Sequence, residues 1–132
     1  MPIQPRAQAA AALRQIAFGL RASQALYVAA KLKVADHLAQ RPLDAEELSR
    51  ATNVDAAALA RVMRALCSLN VFAESRTGEF SLNSTAELLR SDVPGSYRAA
   101  VLFSVGEVRW RCWSDLLGTV RAGGGGAERT LG

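Results

Sequence analysis

The sequence is poor in the residues that carry chemistry by themselves. Its 132 residues include one histidine, two cysteines and only 6% aromatics. Cys67 and Cys112 lie far apart and form no CxxC pair, so with His37 they make no metal-ligand set. Two isolated thiols suit a reducing compartment. Asp36 stands beside His37, but no motif ties a serine or cysteine nucleophile to it, which leaves a hydrolase built on the imidazole without an attacking group. His37 is expected to be a half-buried helix residue. The longest uncharged run of the first helix, residues 22–30, is too short to span a bilayer. Arg14 interrupts the apolar stretch of "MPIQPRAQAAAALRQ", so no proper signal-peptide core follows. A cytoplasmic, soluble protein without membrane partners is expected.

What is present is alanine and leucine, with half of the chain hydrophobic. That balance, with few β-branched residues, predicts a mainly helical single domain. Residues 7–31 carry a helical period: Leu13, Ile16, Ala17, Leu20, Gln24, Tyr27 and Val28 share a stripe. The opposite side is apolar as well, and a helix with two apolar faces must bury both. One face meets its own core; the other needs a partner. "VADHLAQRP" is a short helix that Pro42 ends. Asp44 and Glu47 form a capping box, and Asp55 caps a helix whose stripe is Leu59, Val62, Met63, Leu66 and Leu69. Asn70 is its stop. "VFAESRTGEFSLN" reads as a β-hairpin turning at Gly78, and Ser84 with Glu87 as a second capping box. Residues 97–121 are one long helix or two in series, bent at Gly106, with Trp110, Trp113, Leu117 and Val120 on one stripe. The order is that of a winged helix-turn-helix, core 44–82, with long helices on both sides.

The four glycines Gly123–Gly126 invite a phosphate-cradle reading. Such a loop needs a buried strand before it and a helix N-terminus behind it. The preceding "WSDLLGTVRA" has a helical period, and Ala127–Gly132 is too short for a phosphate-binding helix. The run is expected to be a helix stop and flexible tail.

A winged helix often reads DNA, and the net charge is +4. The charge lies in the wrong place, however. Residues 44–82 hold Arg50, Arg61, Arg64 and Arg76 against Asp44, Glu46, Glu47, Asp55, Glu74 and Glu79, so the wing is acidic in a basic chain. The recognition-helix candidate opens "DAAALAR", which presents alanines where base-reading side chains belong. A DNA-binding regulator is the alternative, and nucleic acid is a disfavoured partner.

Four stretches then fall into place together. "SQALYVAAKLKVADHLA", "ALARVMRALCSLNVFAE", "FSLNSTAELLRSDVPGSYRA" and "WSDLLGTVRAGG" resemble, in order and spacing, the opening region of the S-adenosylmethionine-dependent small-molecule O-methyltransferases. The resemblance covers about residues 13–132. It implies a winged-helix dimerisation domain, residues 1–122, followed by a Gly-rich linker, 123–132, toward a missing catalytic domain. It also implies a second copy, or a full-length methyltransferase, as partner. The family's cofactor glycines, of the type D-x-G-G-G-x-G, and the acid–base histidine of its second domain are not in this sequence. No cofactor is therefore expected on this chain, no methyl transfer by it alone, and no catalytic or metal residue. S-adenosylmethionine and a small-molecule acceptor belong to the full-length family. The expected dimer interface is Leu13, Ile16, Leu20, Tyr27, Trp110, Trp113, Leu117 and Val120. Phe103, Trp110 and Trp113 are candidates for a wall of the acceptor pocket in a full-length enzyme. Two departures stand out: Lys33 and Asn70 occupy positions where the family usually has glycine, and both are expected in the left-handed region.

Overall fold

The computed structural model describes residues 3–132. The expected mainly helical winged-helix architecture is observed. The chain opens with α1 (Arg6–Ala17) and α2 (Gly19–Lys31), then α3 (Val34–His37) and β1 (Leu43–Asp44). The helix-turn-helix is α4 (Ala45–Thr52) and α5 (Ala56–Ser68). The wing is β2 (Ala73–Glu74) and β3 (Glu79–Ser81), after which come α6 (Ser84–Glu87), α7 (Arg98–Val105), α8 (Glu107–Ser114), α9 (Leu116–Ala122) and α10 (Gly126–Leu131).

The local signals explain the frame. Asp44 accepts from the Glu47 N–H at 2.8 Å while Glu47 accepts from the Asp44 N–H at 3.2 Å, which completes the capping box of α4. Asp55 accepts from the Ala58 N–H and caps α5. The α5 stripe is buried at Leu59, Met63 and Leu66, which pack with Leu48, Val34, Phe72 and Phe80 in one core. On α2 the buried residues are Ala25, Ala29 and Ala30. Small side chains there let α5 and α7 approach its backbone. Arg98 on α7 donates through Nε to the Ala30 carbonyl at 2.7 Å, satisfying an acceptor at the C-terminus of α2. Asp36 takes two bonds from Ser91, at 2.9 and 3.0 Å, and ties α3 to the segment before α7.

Several expectations are corrected. The helix at 7–31 breaks at Phe18 into α1 and α2. Gly19 follows the break, and glycine is a poor helix-interior residue. The helix of "VADHLAQRP" ends at His37, several residues before Pro42. The hairpin is part of a three-stranded antiparallel sheet ordered β1-β3-β2, in which Leu43 pairs with Phe80 and Asp44 with Glu79. A two-residue strand has no periodicity of its own to read. The cap of α6 is Asn83, not Ser84: its Oδ1 accepts from the Ala86 N–H at 2.9 Å. Residues 97–121 form three helices, with the bend at Gly106 as expected and a further break at Asp115. The tail is helical at its end, in α10.

Lys33 (φ 56°) and Asn70 (φ 67°) are left-handed as expected. So is Phe72 (φ 69°), a conformation rare for a bulky side chain. Its ring is buried in the core, and Asn83 holds its backbone from both sides. The Phe72 N–H donates to Asn83 Oδ1 at 3.3 Å, and Asn83 Nδ2 donates to the Phe72 and Asn70 carbonyls at 3.2 and 2.9 Å.

Candidate assembly surface

Among the described residues, the buried core draws only on residues 25–89. Outside it, α1, α7, α8, α9 and α10 contain no buried residue. Large apolar side chains on these helices and on the first turn of α2 face outward: Leu13 is 69% exposed, Ile16 78%, Leu20 52%, Trp113 62%, Leu117 62% and Val120 72%. Tyr27 and Trp110 are half-buried, and Phe103 is exposed. Sequence reasoning passed over Ile3, Phe18, Val108, Leu116 and Leu131, which are exposed in the same regions. The outward side of the two-sided helix could be read from its pattern; Phe18 could not, because its exposure follows from the break.

The two ends of the molecule meet across α2 and α7. Tyr27 and Phe103 line a shallow apolar groove of about 340 Å³ with Leu102, Gly106 and Val108. A Cβ at Gly106 would clash with the Leu102 carbonyl oxygen and lie 3.7 Å from the Tyr27 ring, so a side chain there has no room. Trp113 lines a second groove, of about 490 Å³, with Cys112, Leu116, Thr119 and Leu131. The two grooves adjoin at Val108 and Arg109, residues common to both. Phe103 and Trp113 thus stand on neighbouring grooves rather than on one wall, and Trp110 lines neither.

Cations rim these apolar faces. Arg21 sits 4.1 Å from the Phe18 ring centroid and Arg109 sits 4.3 Å from that of Phe103. Arg6, Arg14, Arg21, Lys31 and Lys33 precede the first acidic residue of the chain, Asp36.

The other candidate chemistry does not assemble. His37 is exposed, not half-buried, and lines an open polar trough with Lys33, Asp36, Arg41, Ser91 and Asp92. The Ser91 hydroxyl in that trough donates to Asp36, not to the imidazole. Cys67 and Cys112 are both free and half-buried. Burial pushes the Cys67 thiol above its usual range, with the neighbouring Glu74 carboxylate adding to the shift. Among the described residues no three histidine, cysteine or acidic side chains gather as a metal site, and no helix is long and apolar enough to cross a membrane. On α5, Arg64 is engaged by Glu74 at 3.2 Å, and nothing favours the DNA-binding alternative.

The family model described as O-methyltransferase dimerisation domain matches residues 14–92, more than half of the chain. The chain belongs to that family. It is 40% identical over 120 residues to phenazine O-methyltransferase PhzM of Lysobacter antibioticus, covering 91% of this chain and 35% of that protein. The crystal structure of LaPhzM superposes with a TM-score of 0.86 at 39% identity, over 91% of this chain and 36% of that one. The S-adenosylhomocysteine-bound structure of CalO1, a methyltransferase in calicheamicin biosynthesis, gives a TM-score of 0.79 at 37% identity, over 89% and 35% of the two chains. The chain spans about a third of the length of the curated relatives it matches. The dimerisation-domain match covers the winged core and α2, and the likeness to the solved methyltransferases extends over the flanking helices.

Proposed function

We propose that this chain is a self-association module. A second copy, or the matching region of a full-length methyltransferase, covers the outward faces of α1, α2 and α7–α10. The surface area carries this reading. The chain exposes 9064 Å², whereas a compact 14.1 kDa monomer exposes about 6,700 Å². The excess, roughly 2,300 Å² per chain, is of the size that a stable obligate dimer buries on each partner. The elements that bury nothing of their own, α1 and α7–α10, carry most of the exposed large apolar side chains. Leu13, Ile16, Leu20, Tyr27, Trp110, Trp113, Leu117 and Val120 supply the apolar contact, and the arginine rim stays wet.

The catalytic step belongs to other segments of such enzymes. Among the described residues no strand-loop-helix is present for S-adenosylmethionine, and the nucleoside is not expected to raise the chain's melting temperature. In a complete methyltransferase the Phe103 and Trp113 grooves stand near the acceptor and help exclude water from it. The workplace implied is the cytoplasm. Combining Leu20→Asp with Trp113→Ala tests the interface: the expected products are monomers or aggregates, measured by light scattering. Unchanged dimers from that pair of substitutions would remove these helices from the interface.

A further inference from the structure

The C-terminal helix α10 is held in place by an unusual arrangement of small residues within one chain. Arg129 Nε lies 2.7 Å from Asp115 Oδ2. The pair lies directly over Gly118, where a Cβ would come within 2.6 Å of both Arg129 Nε and Asp115 Oδ1. At the other end of α10, the bare face of Gly126 rests on α8 and α9. A Cβ there would lie 3.4 Å from Thr119 Oγ1 and 4.0 Å from the Cys112 Cβ. Between α9 and α10 run Gly123 and Gly124, both at positive φ (77° and 83°), where glycine turns without strain.

We propose that Gly126–Leu131 is a hinged cap that closes over Cys112 and Thr119, with the Asp115–Arg129 pair as its latch. Two opposing effects keep it poised. The latch is partly exposed, and such pairs contribute little. Closure leaves the buried Thr119 and Thr130 hydroxyls without a hydrogen-bond partner, which disfavours it. The cap borders the Cys112–Trp113–Leu116 groove, so its position sets how much of that apolar face is presented to a partner. The inference concerns contacts inside one chain and does not depend on dimerisation.

The geometry gives a direct trap. Disulfides form at Cβ–Cβ separations of about 3.5–4.5 Å, and the Gly126 position meets this distance from Cys112. In a Cys67→Ser background, Gly126→Cys is oxidised with glutathione disulfide, which accepts the two electrons and leaves as two glutathione thiols. The expected product is an intrachain bond, seen as the loss of both thiols at the mass of one chain. Arg129→Ala should slow its formation about two- to fivefold, the factor an exposed ion pair carries. High salt should slow the Arg129 protein to the same rate. A second measurement keeps Gly126: in Cys67→Ser alone, Arg129→Ala should speed thiol-reagent labelling of Cys112 by a similar factor. The cap is overturned if no intrachain bond forms in helical protein whose two thiols titrate after unfolding. It is also overturned if the bond forms between chains, or if neither rate responds to Arg129→Ala and salt.

Discussion

The middle of this molecule and its two ends are made of similar residues and behave oppositely. Between residues 25 and 89, leucine, valine, methionine and phenylalanine are driven into one core around Phe80, Met63 and Leu48. In α1 and in α8–α10, leucine, isoleucine and tryptophan stand in water. The helices at the ends lack the side-chain caps that α4, α5 and α6 have, yet they form, so helix formation is not the difference. The difference is the layer behind them. α5 has α2 and α4 to pack against, whereas α1 packs chiefly on the helix that follows it. Exposed apolar area on this scale marks an interaction surface. The winged core completes itself; in the assembly we propose, another chain completes the flanking helices.

The largest expected effect separates the two regions at once. Phe80→Ala removes a ring that is fully buried and should cost about 3–5 kcal/mol of unfolding free energy in a urea titration. Ile16→Ala should change the unfolding of the isolated chain by no more than about 0.5 kcal/mol, yet weaken association. Equal losses at both positions would erase the distinction. A smaller effect of the opposite sign is expected at Lys33. Its left-handed backbone is strained for a side chain with a Cβ, and Lys33→Gly should raise stability by about 0.5–1 kcal/mol. Destabilisation there would mean that the lysine stem contributes packing.

The smallest effect concerns pH. The side-chain hydrogen bond from Arg41, followed by the backbone bond from Asp44, holds the Glu47 carboxyl below its usual range. The Arg90 guanidinium does the same for Asp92. A carboxylate lowered in the fold stabilises it above its unfolded pKa, about 4. That contribution is lost as pH falls through the folded value. Stability should therefore decline in acid, and Glu47→Gln should flatten the decline measured by thermal melting between pH 5 and pH 2. Glu47 is part of the capping box of α4 in the winged core, so acid should loosen that core before it alters the apolar ends.

The parts of this structure that sequence made legible are those with a local cause. The α5 stripe, the Asp44 and Asp55 caps and the Gly106 bend each follow from a few neighbouring residues, and the left-handed Lys33 and Asn70 from the resemblance, which puts glycine at both positions. Three features depend on partners distant in sequence. β1 exists because β3 pairs with it, Phe72 turns left-handed because Asn83 clamps its backbone, and α10 is helical where it docks on α8 and α9. A hint of α10 was available in "GAERTL", where good helix formers follow a glycine and Glu128 sits in the first turn. The apolar stripes of the assembly surface were visible in the sequence; that Phe103 and Trp113 fall on adjoining grooves was not, because Gly106 breaks the helical register between α7 and α8.

The most direct test is the solution mass of the 14.1 kDa chain, followed by light scattering through a dilution series from micromolar to nanomolar concentration. A mass of two chains that persists on dilution is predicted, because the proposed assembly buries the outward faces of α1 and α7–α10 against each other. A soluble monomer at every concentration would mean that those faces are stable in water, and would contradict the account.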